Sequence, residues 1–381
     1  IVCDDLNDFQ VPNIARLAKQ GLNYTNAHCP APACSPSRAS LFYGVPPWES
    51  GVYTLDEVAH RNTMLRNRPS LPEVMRARGY LTFGAGKTFH GTNNLRAWDD
   101  YRPRDPEPEG KPLSCGFSAD TRLTLQQTTD YRAARWMNER VLSRRHNRPF
   151  LAVAGLIRPH LPYDVPPQFL RPVVPLKGIR PDDVDDLGRY ALRLTDQTAA
   201  HACVTNPEPI LRHYQAAARL ADHCIGMMVE AVQRGPNADN TLIVVTSDHG
   251  FQLGEKDAWH KFTLWERSTK VPLVIAADWL RPQTIGTPAS LVDIMPMLKR
   301  GDSRLPVREA VVMSWMMKGE QQPSFAVRTR DHRLIRYRTG ETELYRHPRD
   351  PFEIVNIAKE APQTVRRLEK FIPPRWVPRD G

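Results

Sequence analysis

Short apolar runs alternate along most of the chain with segments whose apolar positions recur every three or four residues. The runs Phe150 to Leu156, Thr241 to Thr246 and Val271 to Ala276 are each typical of a parallel strand that is buried on both faces. The clearest helical pattern consists of Leu211, Tyr214, Ala218, Ala221, Ile225, Met228 and Val232. A second helix is predicted from Pro12, with Gly21 as its stop. Strands that alternate with helices predict a mostly parallel sheet covered on both faces.

The last part of the chain has a different pattern. Phe325 to Thr329, Leu334 to Arg338 and Glu343 to Tyr345 are short strand-like pieces separated by turn residues, which predicts an antiparallel meander. A final helix is predicted from Thr364 to Phe371. We therefore expect a large α/β domain over residues 1–300 and a smaller C-terminal subdomain over residues 301–381, and we find no internal repeat.

Composition places the chain among globular proteins, with 41% hydrophobic and 25% charged residues in 381. No apolar run reaches the length of a membrane span, so none is expected. The formal net charge of +10 favours anionic ligands. The arginines are scattered and no nucleic-acid motif accompanies them, so we expect a general attraction of anions, with part of the charge on solvated surface, and no nucleic acid. The acidic run from Asp182 to Asp186 is interpreted as a solvated loop.

The cysteines give no metal or disulfide pattern. They are Cys3, Cys29, Cys34, Cys115, Cys203 and Cys224. The absence of a C-x-x-C pair argues against a zinc site of the usual spacing, and a disulfide framework is not indicated at this length. Cys29 and Cys115 are interpreted as structural or free, and His28 and His213 as structural.

Acidic residues follow two of the predicted strands. Asp4 and Asp5 come directly after the strand end Ile1-Val2-Cys3, and Asp248 and His249 follow the strand that ends near Thr246. Ligands bind at the carboxyl edge of an open α/β sheet, so the four side chains are expected to meet there. Adjacent carboxylates repel unless a cation lies between them. The oxygen-rich set favours Ca²⁺ or Mg²⁺ over zinc.

A cysteine begins the segment Cys34-Ser35-Pro36-Ser37-Arg38. At a helix start beside an arginine, its thiol pKa is expected to be depressed. The proline and the polar neighbours argue against deep burial.

A glycine-rich segment ends the strand before Lys87 and His90. Gly84 to Gly86 would let the backbone bend close to a ligand. Lys87 would supply a positive charge for an anion, and His90 a group that exchanges a proton near neutral pH.

Together these segments resemble the type I, formylglycine-dependent sulfatases of the alkaline phosphatase superfamily. Cys34 to Arg38 matches the C-x-P-S-R signature, and Gly79 to Lys87 matches the second signature, G-Y-x-T-x-x-x-G-K. Further similar pieces, in the family's order, are Cys3 to Asn7, Ser247 to Gly250, Leu264 to Leu273 and Val327 to Glu353. The resemblance therefore covers nearly the whole chain.

Within the family, the chain most resembles the iduronate-2-sulfatase branch. Two residues separate Lys87 from His90, a histidine follows Asp248, and a P-H-x-P loop runs from Pro159 to Pro162. One departure is the short first strand, Ile1-Val2, from which we expect further sequence upstream.

The resemblance implies a fold and a set of metal ligands. The fold would be an alkaline-phosphatase-like α/β/α sandwich with a large, mostly parallel central sheet, plus a small C-terminal antiparallel sheet and helix. Asp4, Asp5, Asp248 and His249 would bind a divalent cation, usually Ca²⁺, with Mg²⁺ as the alternative. Cys34 would be oxidised to formylglycine, whose hydrated aldehyde also contacts the metal.

The resemblance also implies roles for other polar residues. Arg38 would hold and orient the modified Cys34, and Lys87 and Lys261 would bind the sulfate oxygens. His90 would handle the proton of the formylglycine hydrate, and His160 would act as an acid at the leaving-group oxygen. Whether Lys261 or its neighbour His260 faces the site stays open.

The implied function is hydrolysis of a sulfate ester, with a sulfated glycan as the first expectation and a small aryl or alkyl sulfate as the second. A formylglycine-generating enzyme would be the maturation partner. Export to a periplasmic, extracellular or lysosome-like compartment is implied by the resemblance, although this chain contains no signal region. The alternatives are a phosphodiester or phosphonate-ester hydrolase of the same superfamily, a catalytically silent anion-binding homologue and, ranked low like the others, a nucleic-acid binder.

Overall fold

The structure is a computed structural model that describes residues 1–7, 9, 11–91, 94–107, 111–114, 117–119, 122–180, 182–195 and 206–379. For residues 111–114, 117 and 118 it describes the backbone alone. Cys115 and Cys203 lie outside the described residues, so the interpretation of Cys115 stays a prediction.

Strands β1 to β5 lie before residue 103, β6 to β12 lie between residues 111 and 290, and β13 to β16 follow residue 300. They are β1 Val2–Asp4, β2 Leu22–Tyr24, β3 Ala27–His28, β4 Leu81–Gly86, β5 Asp100–Arg102, β6 Lys111–Ser114, β7 Phe117–Ala119, β8 Phe150–Pro159, β9 Ile243–Ser247, β10 Leu273–Ala276, β11 Gln283–Ile285, β12 Ala289–Ser290, β13 Ala310–Trp315, β14 Ser324–Thr329, β15 His332–Arg336 and β16 Thr342–Arg346.

Eight of these strands form the central sheet, in the order β11-β2-β10-β9-β1-β8-β4-β5. The neighbours β9, β1, β8, β4 and β5 run parallel to one another, so their carboxyl ends meet at one edge. Short two-stranded pairings join β3 with β12 and β6 with β7. The predicted mostly parallel sheet is confirmed.

Helices cover both faces of this sheet. The helices of the described part of the chain are α1 Pro12–Ala18, α2 Cys34–Tyr43, α3 Pro47–Ser50, α4 Leu71–Ala77, α5 Thr129–Met137, α6 Arg189–Thr195, α7 Glu208–Gln233, α8 Glu266–Thr269, α9 Ile294–Arg300 and α10 Pro362–Glu369, of which α10 packs on the C-terminal sheet instead. One apolar core joins α1, α5 and α7 to the sheet, and a second joins α2, α4 and α9 to it. The molecule is therefore an α/β/α sandwich. The predicted apolar positions of α7 are buried, because they form the stripe that faces the sheet.

The prediction that Val271 to Ala276 forms a parallel strand is wrong in direction. Strand β10 pairs antiparallel with both β9 and β2. A run buried on both faces has no polar side from which its direction could be inferred.

Helix α1 ends earlier than predicted. It stops at Ala18, with Lys19 as its C-cap, so Gly21 does not terminate it. A Cβ at Gly21 would collide with the backbone of β10 at Ile275, which explains a glycine there by close packing.

The C-terminal part contains the predicted antiparallel meander and final helix. The sheet has the order β13-β14-β15-β16, and α10 spans Pro362–Glu369. Its first strand, Ala310–Trp315, was not predicted. The division at residue 300 stays a prediction, since Ala33, Leu264 and Trp265 share one apolar cluster with Trp315 and Tyr345.

Candidate active site

Polar side chains from four neighbouring strands meet at the carboxyl edge of the central sheet. Asp4 ends β1, Lys87 follows β4, His160 follows β8, and Asp248 and His249 follow β9. These strands lie side by side in the order β9-β1-β8-β4. The parallel arrangement therefore brings together residues that are up to 245 positions apart in sequence.

Two glycines set the position of Lys87. Gly86 has a φ of 72°, and a Cβ on it would collide with the carbonyl oxygen of Gly155 on the neighbouring strand. A Cβ on Gly155 would collide with the backbone of Lys87, whose N–H donates to the Gly155 carbonyl at 2.8 Å. The expectation that Gly86 lets the chain approach a ligand is thus corrected: in the structure it lets β4 approach β8.

Cys34 is the first residue of α2. Its Sγ lies 3.2 Å from Lys261 Nζ, 3.3 Å from His249 Nε2 and 3.4 Å from Asp4 Oδ1. The expectation that polar neighbours keep this segment from deep burial is wrong, because every residue of α2 is buried. The buried polar groups bond to one another; the Ser37 hydroxyl, for example, donates to the carbonyl oxygen of Asp248.

Arg38 connects three of the strand ends beneath the cluster. Its Nε donates to Asp248 Oδ2 at 2.8 Å, and its other nitrogens donate to the carbonyl oxygens of Cys3, Lys87 and Thr88. The guanidinium is fully buried, and the carboxylates of Asp248 and Asp4 raise its pKa despite the cost of burial. Arg38 therefore holds Asp248 and the N-terminal half of α2 in a fixed relation.

The carboxylates and their neighbours can hold a cation. Ligand atoms of Asp4, Cys34, Asp248 and His249 lie within 4.8 Å of one another. A second group within the same limit consists of Asp4, Asp5, Cys34 and His160. Asp5 was predicted as a ligand and His160 was not. The donor set is rich in carboxylate oxygen, which suits a hard divalent cation.

The two predicted sulfate-binding lysines both lie in the cluster. Lys87 Nζ donates to Asp4 Oδ2, and Lys261 Nζ donates to Asp5 Oδ1 at 2.7 Å. The question left open between His260 and Lys261 is answered by these contacts, since the Lys261 ammonium reaches the site. The His260 ring is buried beside Phe262, at 6.0 Å between ring centroids.

His160 lies at the rim of the cluster. Its Nδ1 lies 2.7 Å from the carbonyl oxygen of Leu161, which favours the tautomer with the proton on Nδ1 in the neutral ring. Its Nε2 lies 4.0 Å from Asp5 Oδ2. The His160 side chain is 33% exposed, whereas that of Lys87 is 16% exposed and that of His249 is fully buried, so His160 is the most open of the three.

His90 is placed less directly than predicted. It is half-buried, and its Nδ1 has no hydrogen-bond partner among the described residues. The hydrogen bonds of the described residues do not join it to Cys34, so its predicted role stays a prediction.

The charges around Cys34 favour the ionised form of its thiol. Although burial opposes ionisation, Lys261, Lys87 and His249 hold the pKa of the Cys34 thiol well below its usual range. Burial likewise opposes ionisation of Asp4, yet Lys87, His160 and Arg38 lower its pKa. The negative charges of Asp248 and Cys34 raise the pKa of His249 to about 9 despite its burial. The cluster thus concentrates paired charges of both signs in a protected space.

Sequence reasoning missed the residues that support this cluster from below. Asp5 has a φ of 65°, and its carbonyl oxygen accepts from the Tyr214 hydroxyl at 2.8 Å. Tyr214 was predicted as a core position of α7, and nothing in its spacing marked this contact. In the acidic run interpreted as a solvated loop, Asp182, Asp185 and Asp186 are exposed, but Asp183 is buried against Lys256, so the interpretation is wrong for Asp183 alone.

A third group of possible ligands lies elsewhere, at the junction with the C-terminal sheet. Glu266, His347 and Glu353 have ligand atoms within 4.8 Å of one another. Arg333 contacts Glu266 at 2.6 Å and Glu353 at 2.7 Å, and Arg328 contacts Glu266 at 3.0 Å. Guanidinium groups therefore already neutralise these carboxylates.

His28, interpreted as structural, and Cys29, interpreted as structural or free, are both buried, and Cys29 is a free thiol. His213 Nδ1 lies 2.6 Å from the Pro209 carbonyl oxygen on α7.

A large cavity lies away from the cluster, and none of the cluster's residues line it. The cavity, of about 640 Å³, opens at the amino ends of β8 and β9, at the opposite edge of the sheet. Within the described part of the chain, no helix combines the length and the apolar character that crossing a membrane requires.

Comparison with known proteins identifies the family. A sequence model of the sulfatase family matches residues 5–299. A protein named sulfatase from Formosa agariphila is 30% identical over 94% of this chain and 82% of its own length. Human iduronate 2-sulfatase is 25% identical over 78% of this chain and 60% of its own length.

Solved structures show the same fold. A structure in complex with its substrate D-glucosamine-2-N,6-O-disulfate superposes with a TM-score of 0.72, at 18% identity over 97% of this chain and 96% of that one. A phosphonate monoester hydrolase from Silicibacter pomeroyi superposes with a TM-score of 0.75, at 16% identity over 97% of this chain and 92% of that one. The fold therefore does not by itself distinguish these two chemistries.

Proposed function

Because this chain belongs to the sulfatase family and is a sulfuric ester hydrolase, we propose that it cleaves a carbohydrate sulfate at the cluster around Cys34. In this proposal, formylglycine derived from Cys34 is the nucleophile and a divalent cation lies beside it. The observation that carries the proposal is the convergence of Lys261, His249 and Asp4 within 3.4 Å of Cys34 Sγ. The Lys261 ammonium beside the nucleophile position suits an anionic ester, and His249 and Asp4 can hold a cation there.

The proposed metal ligands are Asp4, Asp5, Asp248, His249 and the modified Cys34. Their fit rests on the close grouping of these ligand atoms and on the burial of all five residues. When bound, Ca²⁺ or Mg²⁺ would neutralise charge that develops on the sulfuryl oxygens. Arg38 orients one of the ligands directly through its bond to Asp248.

Formylglycine would supply, as its hydrate, a hydroxyl that attacks sulfur and a route back to the aldehyde by release of sulfate. The residues around it would prepare that attack. Arg38 fixes the start of α2 relative to the strand ends, so the side chain of residue 34 projects into the cluster. Lys87 and Lys261 would bind the sulfate oxygens as point charges, in place of part of their present contact with Asp4 and Asp5.

His160 is proposed to protonate the leaving oxygen. Its hydrogen bond to Leu161 orients the ring, and Nε2 points toward the Asp5 carboxylate at the rim where a leaving group would exit. Although burial and Lys261 oppose it, the carboxylates of Asp5 and Asp4 raise the pKa of His160, which favours the protonated acid. His90 is proposed to handle the proton of the formylglycine hydrate, on the family resemblance alone.

The substrate is proposed to be a sulfated sugar. Two observations support this: a relative named iduronate 2-sulfatase, and a neighbour of the same fold whose substrate is a sulfated glucosamine. The formal charge of +10 would also attract a polyanionic glycan. A panel of sulfated monosaccharides and oligosaccharides, with aryl sulfate as the reference, tests the substrate class.

The fold similarity to a phosphonate monoester hydrolase makes phosphoester cleavage the second candidate. The two are distinguished by kcat/KM for an aryl sulfate and an aryl phosphodiester, measured on one preparation made with a formylglycine-generating enzyme. We expect the sulfate to be the better substrate, and Cys34→Ala to abolish both activities. A higher kcat/KM for the aryl phosphodiester than for the aryl sulfate would favour the second candidate. No turnover of either ester, with the fold intact, would favour a silent anion-binding protein.

Export from the cytoplasm is proposed on the family resemblance alone. Fractionation of cells that express the full natural gene would test it.

A further inference from the structure

Lys261 lies on an irregular loop with an unusual backbone. The loop runs from Gly254 to Phe262, and three of its non-glycine residues have positive φ: Lys256 at 53°, Asp257 at 52° and Phe262 at 78°. Such conformations are disfavoured for residues with a Cβ and persist only where the surroundings impose them. The loop must therefore be held by specific contacts.

One side-chain contact that holds this loop is a buried ion pair. Lys256 and Asp183 are both buried, and their charged groups lie 3.0 Å apart. The backbone N–H of Lys256 donates to Asp183 Oδ2 at 2.8 Å, and its Nζ donates to both Asp183 Oδ1 and the Asp183 carbonyl oxygen at 3.0 Å. One carboxylate thus fixes both the backbone and the side chain of Lys256.

Two aromatic rings also lie near the Lys256 ammonium. Its Nζ lies 5.1 Å from the centroid of Tyr345 and 5.9 Å from that of Trp265. Both rings donate to the buried Glu343 carboxylate, Trp265 Nε1 at 2.7 Å and the Tyr345 hydroxyl at 2.8 Å. The position of Lys256 is therefore set by the C-terminal sheet as well as by Asp183.

Backbone hydrogen bonds within and around the loop connect the anchored Lys256 to Lys261. Gly254 N–H donates to the Ala258 carbonyl oxygen, and Gln252 N–H donates to that of His260, both at 2.9 Å. Phe262 N–H then donates to the Pro32 carbonyl oxygen at 3.1 Å, two residues before Cys34. Lys261 is thus enclosed between a loop anchored at Lys256 and the segment that leads into the nucleophile.

We propose that Asp183 and Lys256 are positioning residues that set where the Lys261 ammonium lies relative to Cys34. The inference rests on the proposed function, in which Lys261 binds sulfate oxygens. Neither residue touches the substrate, so each acts through Lys261. Loss of the ion pair lets the loop relax its disfavoured backbone and withdraws the ammonium from the sulfate position.

A double-mutant cycle tests this inference. Asp183→Asn, Lys261→Ala and the double variant are made in the full chain, and kcat and KM for an aryl sulfate are measured together with competitive inhibition by inorganic sulfate. We expect Asp183→Asn to raise KM and the inhibition constant of sulfate about tenfold or more, since a misplacement of about 1 Å can cost far more. The double variant should match Lys261→Ala alone, because the positioning residue has nothing left to position.

The matched control is Asp182→Asn. Asp182 is exposed and pairs with Arg180 at 2.6 Å, and it is the sequence neighbour of Asp183. Its kinetic constants should equal those of the wild type.

Three results would overturn the inference. First, the changes in KM and in the sulfate inhibition constant caused by Asp183→Asn and by Lys261→Ala could multiply in the double variant. That result would show a general defect rather than action through Lys261. Second, kinetic and inhibition constants of Asp183→Asn equal to those of the wild type would show that the ion pair does not position the loop. If Asp183→Asn does not fold, the variant Asp183→Asn/Lys256→Met removes both charges and leaves no buried ion unpaired, and failure of that variant to fold would show that the pair serves the whole fold. A wild type without turnover or sulfate inhibition would instead overturn the proposed function itself.

Discussion

At the scale of single residues, His160 makes the most specific chemical claim. A general acid matters most when the leaving group is poor. We therefore expect His160→Gln to slow hydrolysis of a sugar or alkyl sulfate about 10²-fold or more, and to slow that of nitrophenyl sulfate much less. The ratio of the two kcat values in variant and wild type measures the effect.

Equal losses on both substrates would show that His160 binds or positions rather than donates a proton. His213→Gln is the matched control, because this partly buried histidine lies on α7 and bonds to the Pro209 carbonyl oxygen. It should leave both rates unchanged.

The grouped carboxylates make a separate claim about metal binding. A cation that binds the folded state raises stability, by about 2.7 kcal/mol when its concentration is one hundred times Kd. We expect Ca²⁺ or Mg²⁺ to raise the Tm of the wild type, and the increase to be lost in Asp248→Asn. Asp239→Asn, an exposed substitution before β9, should keep it. A wild-type Tm that responds to neither ion would contradict the proposed metal site.

Single residues also show where sequence was sufficient and where it was not. Asp4, Cys34 and Asp248 could be predicted as neighbours, because strand ends and a helix start locate them. Lys261 could not be chosen over His260, because a loop with positive φ at three positions has no periodicity to indicate which side chain points inward. The pairing of Asp183 with Lys256 spans 73 positions of sequence and left no local signal.

At the scale of elements, the approach of β4 to β8 positions Lys87. Gly86→Ala should destabilise the fold by about 1–3 kcal/mol for the overpacking, with about 1 kcal/mol more for the positive φ, because its Cβ would meet the Gly155 carbonyl oxygen. Urea unfolding measures the change.

Gly79→Ala separates the two causes of this loss. Gly79 also has a positive φ, of 89°, but no atom lies within 4 Å of a Cβ placed there. It should lose only about 1 kcal/mol. Equal losses at Gly79 and Gly86 would show that close strand packing does not limit this position.

The elements themselves were predictable to different degrees. The stripe of α7 has a clear helical period and the run of β8 is continuously apolar, and both elements were placed correctly. The direction of β10 was not predictable, because its two faces are equally buried. Strand β13, Ala310–Trp315, follows a stretch without regular structure, and its short apolar run was overlooked although it is visible in the sequence.

At the scale of the whole molecule, a buried charge cluster joins the main sheet to the C-terminal sheet. Arg328, Arg333 and His28 hold the pKa of Glu266 well below its ordinary value of 4.5, although burial opposes this. Arg333 and His347 likewise lower the pKa of Glu353. Above pH 4.5 both carboxyls are ionised in the folded and unfolded states, so their contribution to stability is complete.

Acid should therefore weaken the molecule through this cluster. As the pH falls below 4.5, the two carboxyls bind protons in the unfolded chain while they stay ionised in the folded protein. The free energy of unfolding therefore decreases. Glu266→Gln should cost about 3–5 kcal/mol at neutral pH, because the buried Arg328 guanidinium loses its carboxylate partner and Arg333 keeps only Glu353. The free energy of unfolding of this variant should also decrease less steeply below pH 4.5 than that of the wild type.

The control for this prediction is Glu369→Gln, which removes a partly exposed partner of Arg336 at 3.7 Å. We expect a change of about 0–1 kcal/mol, measured by urea unfolding across pH. A Glu266→Gln variant with the wild-type pH dependence would show that the cluster does not govern acid stability.

The central claim is that residue 34 is the modified nucleophile of a sulfatase. The most direct measurement is the mass of the peptide that contains Cys34, from protein produced with a formylglycine-generating enzyme, together with turnover of an aryl sulfate by the same sample. The account predicts the mass of the aldehyde, turnover in proportion to the modified fraction, and no turnover by a folded Cys34→Ala variant. A peptide that keeps its thiol in fully active protein, or activity that survives Cys34→Ala, would contradict it.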